Sequence, residues 1–119
     1  MPRKQFEANV RYRPGGVAMI DLNGEIDGFA KETLAAAYGE AEKGKPEAIL
    51  LDFEGVDYIN STGIALIVGL LARARASKRR LLACGLSEHY AEIFEITRLS
   101  DFVGVFPDEE SALARVANS

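Results

Sequence analysis

Seven residues, Glu47 to Phe53 (EAILLDF), limit the fold more than any other stretch of the chain. Ala48 to Leu51 are apolar at every position, with no alternation that would leave one side to water. A short run of this kind, ending in Asp52, has the pattern of a central strand buried on both faces. The 119 residues are enough for one domain with a two-layer core that needs neither metal nor disulfide support.

The segments around this strand alternate between two periodicities. From Gln5 to Arg13 (QFEANVRYR), Phe6, Ala8, Val10 and Tyr12 fall on one side of a half-exposed strand. The turn RPGG follows, then a second strand, VAMIDLNGEI from Val17, so the chain is expected to begin with a hairpin. Beyond Asp27, the residues Ala30, Leu34, Ala37, Tyr38 and Ala41 recur at helical spacing until Gly44 and Pro46 stop the helix. After the central strand a loop is expected from Glu54 to the tetrapeptide NSTG, Asn60 to Gly63, which opens a long apolar helix. LLACG supplies the next strand. Ser87 caps a helix with Tyr90, Ile93 and Phe94 on one face, FVGVF is the last strand, and Pro107 or Asp108 starts a final helix. Strands alternating with helices imply a largely parallel sheet with right-handed crossovers, and the hairpin adds an antiparallel edge. The expected fold is therefore α/β: a single domain over residues 1–119, with a mixed, mostly parallel sheet of about five strands and about four helices.

Composition narrows the function mainly by exclusion. With 48% hydrophobic and 27% charged residues, the chain has the profile of a soluble globular protein. A net charge of −4 argues against nucleic-acid binding by phosphate neutralisation. Cys84 is the single cysteine, so no internal disulfide forms and a reducing compartment is expected. The first residues lack a signal-peptide core, and the apolar run from Ile64 to Ala72 is about half the length of a bilayer crossing, so a cytoplasmic location without membrane insertion is expected. His89 is the only histidine, and Cys and His are too few for a metal site. Neither GxxxxGK[ST] nor GxGxxG occurs. Asp21, Asp27, Asp52 and Asp57 offer carboxylates near strand ends, which is common in such sheets, and the reading is a non-enzyme without cofactors.

What remains is the NSTG loop, between a central strand and a helix, on the sheet edge where ligands and partners of parallel sheets bind. Asn60 or Ser61 alone would serve as a helix cap. Gly63, in the first turn, costs roughly 1 kcal/mol relative to alanine, which suggests close approach to the backbone. At 100° per residue, Ile64, Ile67, Val68, Leu71 and Ala74 form a stripe facing the sheet. Leu66 and Leu70 fall on the flank shared with Gly69 and Arg73, where either a neighbouring helix or another protein would cover them. The basic run Arg73, Arg75, Lys78, Arg79 and Arg80 is either a solvated helix end complementing the dipole or a contact surface for an acidic partner.

Three stretches in this order, GEID at Gly24 to Asp27, ILLDFEGVDYINSTG, and YAEIFEITRLSDFVGVFPDEESAL, resemble the STAS domain of bacterial anti-sigma-factor antagonists. The resemblance implies a phosphoacceptor at Ser61, with Thr62 and Gly63 completing the D-S-[ST]-G pattern. Asn60 stands where that pattern often has aspartate, so a charge beside the acceptor is missing. It further implies a partner that is both anti-sigma factor and serine kinase, bound through Asp27, Asn60, Thr62, Gly63, Leu66 and Leu70, and a serine phosphatase acting on phospho-Ser61. A monomer or weak homodimer is expected. The alternative within the family is an unphosphorylated subunit of a lipid or anion transport assembly. A phospho-aspartate receiver domain has similar topology, but Phe106 occupies the position where a receiver carries its lysine.

Overall fold

The computed structural model describes residues 5–118. Strand β1 (Glu7–Arg13) and strand β2 (Val17–Ile26) form the expected hairpin, with Val10 opposite Ile20 in antiparallel register. A 3-10 turn, Gly28–Ala30, leads into helix α1 (Lys31–Glu42). Strand β3 (Ala48–Ile59), helix α2 (Ser61–Ala76), strand β4 (Arg80–Cys84), helix α3 (Glu88–Ile96), a second 3-10 turn at Leu99–Asp101, strand β5 (Gly104–Phe106) and helix α4 (Glu109–Ala117) complete the described chain. The sheet order is β1-β2-β3-β4-β5, and every pairing after the hairpin is parallel.

Since each crossover steps one strand further in the same direction, right-handedness places all three crossover helices on one face. The larger core lies there, where Leu34, Tyr38, Ile67, Leu71 and Phe94 meet Ile20, Ile49, Leu51 and Phe53. On the opposite face α4 lays Ala112 and Val116 over Val17, Met19, Leu50, Leu82 and Cys84. The central strand is therefore buried on both sides, as its composition requires: Ile49, Leu50 and Leu51 are all fully enclosed.

Two boundaries differ from the sequence reading. No loop begins at Glu54: β3 continues to Ile59, paired only with β2 from Gly55 onwards, while its pairing with β4 ends at Asp52 opposite Cys84. This extension is a two-stranded ribbon with register irregularities between Asp21 and Asn23 and between Gly24 and Glu25, so its side chains lose the alternation that identifies a strand. Gly24 adopts a φ of 102°, and a Cβ there would lie 2.8 Å from the carbonyl oxygen of Gln5. The last strand is also shorter than FVGVF: Phe102 precedes it and is 56% exposed.

The basic run acts largely within the fold. Arg73 bonds Glu42 and stacks over the ring of Tyr38 at 4.6 Å, while Arg79 donates from Nε to the Pro46 carbonyl at 2.7 Å. These contacts fasten the C-terminal end of α2 to that of α1.

Candidate functional site

The NSTG segment forms the corner where the ends of β2 and β3 meet the start of α2. Ile26 and Ile59 are register partners at the strand ends, and the Asn60 amide donates to the Ile26 carbonyl at 3.2 Å. With extended backbone angles, Asn60 is the N-cap, and its Oδ1 accepts from the Gly63 amide at 2.8 Å. Gly63 is buried, and a Cβ on it would collide with the carbonyl oxygen of Ile26 and approach Cγ2 of Ile59 to 2.8 Å. The backbone room anticipated at this glycine is taken up by the end of β2, so its close approach serves the fold.

The adjacent turn is fixed the same way. Asp27 Oδ1 accepts from the Phe29 amide at 2.9 Å, capping the Gly28–Ala30 turn, and Gly28 faces the methyl of Thr62. From the far side, the Tyr90 hydroxyl of α3 accepts from the Ile59 amide at 2.9 Å. Ser61 and Thr62 are exposed at the tip of this well-braced corner, at the positive end of the helix dipole. Asp27, Asn60, Ser61, Thr62 and Gly63 are thus brought together.

The flank of α2 divides differently from the helical-wheel expectation. Leu70 is only 5% exposed and belongs to the core, whereas Val68, placed on the buried stripe, is 46% exposed. Ile64 and Leu66 are both partly buried against the core. The cause is α1, which packs beside α2 and rotates the buried arc towards itself: a groove of about 210 Å³ between them is lined by Lys31, Leu34, Ala35, Ala65, Leu66, Gly69, Leu70 and Arg73. What remains accessible of Leu70 lies in the lining of that groove.

Phe29 is a feature the sequence reading left out. It is 84% exposed beside the corner. The signal was present, because the helical spacing that runs through Ala30, Leu34 and Ala37 leaves Phe29 off the buried stripe.

Elsewhere the titratable groups are structural in placement. Cys84 is buried beneath α4, and desolvation followed by the nearby Asp52 carboxylate pushes its thiol up to about 12. Burial also raises Asp52, a shift opposed by the Glu54 amide that donates to its Oδ1 at 3.0 Å. His89 is exposed, edge-on to Tyr90. Among residues 5–118 no three His, Cys, Asp or Glu side chains gather as metal ligands, and no helix is long and apolar enough to cross a membrane.

A five-stranded mixed sheet with three helices on one face, and a hydroxyl-bearing corner at the start of the second, defines a small α/β domain class. The STAS domain model matches residues 9–112, and the chain belongs to that family. An anti-sigma-B factor antagonist of Staphylococcus aureus is 29% identical over 86 residues, covering 72% of this chain and 80% of that protein. Its counterpart in Listeria monocytogenes is 30% identical over 86 residues, covering 72% and 75%. Among solved structures, an anti-sigma factor antagonist of Mycobacterium paratuberculosis superposes with a TM-score of 0.81 at 19% identity, over 95% of both chains.

Proposed function

We propose that this chain is an anti-sigma-factor antagonist switched by phosphorylation at Ser61. Unmodified, it captures a partner that is both anti-sigma factor and serine kinase, and the sigma factor goes free to direct transcription; phosphorylated, it releases that partner, and a serine phosphatase resets it. The observation that carries the reading is the exposed Ser61 hydroxyl on the first turn of α2, held on a corner braced by β2, β3 and α3. The name borne by the Staphylococcus and Listeria relatives supports the antagonist role. The role is that of a binding protein in the cytoplasm, as a monomer or weak homodimer.

Phosphorylation adds roughly −1.5 to −2 charges and three acceptor oxygens. At a helix N-terminus the dipole and amide groups favour that charge, so the fold survives it. On a surface that a partner must cover, the same charge has to be desolvated. A loss of about 2.7 kcal/mol weakens binding roughly a hundredfold, enough for a switch.

The test is incubation with the cognate kinase and ATP, followed by phosphate mapping by mass spectrometry. Modification at Ser61, abolished in Ser61→Ala, is expected. An unmodified Ser61, or a Ser61→Asp variant that binds as tightly as wild type, contradicts the reading; an unmodified chain that co-purifies with a membrane permease or transport ATPase would place it instead in a transport assembly.

A further inference from the structure

Helix α2 carries a glycine that the fold does not need. Gly69 lies mid-helix and exposed, and a Cβ there would meet nothing within 4 Å. Glycine inside a helix is disfavoured relative to alanine, because it adds backbone freedom to the unfolded chain and buries no side chain. Gly63 is explained by the carbonyl of Ile26 packed against it; no neighbour explains Gly69.

Gly69 lines the groove between α1 and α2, beside Leu66 and above Leu70. The walls are apolar, but the ends are not: Lys31, on the first turn of α1, is exposed at one end, and Arg73, with its side chain 41% exposed, stands at the other while holding Glu42. Ser61, Ala65 and Gly69 follow one another at four-residue spacing, so the phosphoacceptor and the groove share a ridge of α2.

We infer that this groove receives an amphipathic helix of the captured anti-sigma factor, one whose apolar ridge seats over Gly69 and whose acidic side chain meets Lys31. A missing Cβ lets a second helix approach the backbone closely, and the exposed Lys31 at the mouth of an apolar trough, with Arg73 already paired to Glu42 at the other end, selects an apolar ridge that carries an acid on the Lys31 side. The placement also accounts for how the modification acts. A phosphate on Ser61 stands one turn from Ala65, at the end of the groove near α1's first turn, and repels the acid that pairs with Lys31. The inference rests on the proposed function and specifies which element of the partner that function requires.

The experiment measures affinity of the anti-sigma factor kinase for wild-type chain and for Gly69→Ala, Gly69→Leu and Lys31→Glu. Alanine should raise the Tm by about 4 °C, because it removes the glycine penalty, and should weaken capture about tenfold. Leucine fills the trough and should weaken capture about a hundredfold while the circular dichroism stays native. Lys31→Glu should weaken it about tenfold, with a flatter salt dependence. Stability gained while affinity is lost cannot come from misfolding. A photo-crosslinker at Ala35 should mark a helical partner segment that contains Asp or Glu. If the wild-type chain captures no anti-sigma factor, the proposed function falls, and this inference with it. If wild type captures and Gly69→Leu captures equally well, or if Gly69→Leu alters only self-association of the chain, the helix-in-groove inference alone is overturned.

Discussion

At the scale of single residues, two positions at the corner and one in the central strand carry distinct physical roles. Gly63→Ala drives a methyl into the Ile26 carbonyl and Ile59, and neither backbone nor β-branched side chain has room to yield. Overpacking of this kind is expected to cost about 3 kcal/mol, read as a lowered midpoint in urea unfolding with unchanged slope. Asn60→Ala removes the cap on the Gly63 amide and should cost about 1 kcal/mol, whereas Asn60→Asp keeps the acceptor, adds a favourable charge at the helix N-terminus and should be at least as stable as wild type. Asp52 gives a prediction with a defined pH sign. Burial raises its carboxyl above the ordinary value, so the folded state holds the proton more tightly than the unfolded one. Stability is therefore lost as pH rises from the ordinary carboxylate range through the raised value. Asp52→Asn, which keeps an oxygen to accept from the Glu54 amide, should raise the Tm at pH 7 and lose that advantage near pH 3.

At the scale of elements, the sequence made most of the architecture legible, because burial left simple periodicities. β2, α1 and the two-sided apolar run of β3 are where their patterns put them, and Ser87 and Asp108 cap α3 and α4 through the Tyr90 and Ser111 amides. The β3 extension was illegible because pairing on one edge alone, through a ribbon with bulges, imposes no alternation on Glu54 to Tyr58. The exchange of Val68 and Leu70 has a similar origin: a helical wheel assumes that the sheet is the only neighbour, and α1 pulls Leu70 into the core. The consequence is measurable. Leu70→Ala should cost about 3 kcal/mol and Val68→Ala less than about 1 kcal/mol, by denaturant titration of each. At the site, the hydroxyl corner was readable from residue types alone. Phe29 was legible too, from its place off the stripe of Ala30, Leu34 and Ala37, whereas the α1–α2 groove required tertiary contacts, since its two walls are some thirty residues apart in the chain.

At the scale of the whole molecule, the two faces of the sheet divide the work. Three helices build the larger core and present the corner, while α4 seals the opposite face over Cys84, tied to β1 by Arg11 and Arg13 bonds to Glu109. Cys84, buried with its thiol pushed up to about 12, is expected to resist iodoacetamide at pH 8 in the native state and to react fully in guanidinium, as followed by mass spectrometry. On the proposed function, a corner braced by these hydrogen bonds leaves surface charge as the means by which phosphorylation would be read. The most direct measurement is the affinity of the anti-sigma factor kinase for the unmodified chain and for the chain carrying phosphoserine at position 61. The phosphorylated chain should keep its native Tm and bind roughly a hundredfold more weakly; equal affinity of the two forms would overturn the proposed switch.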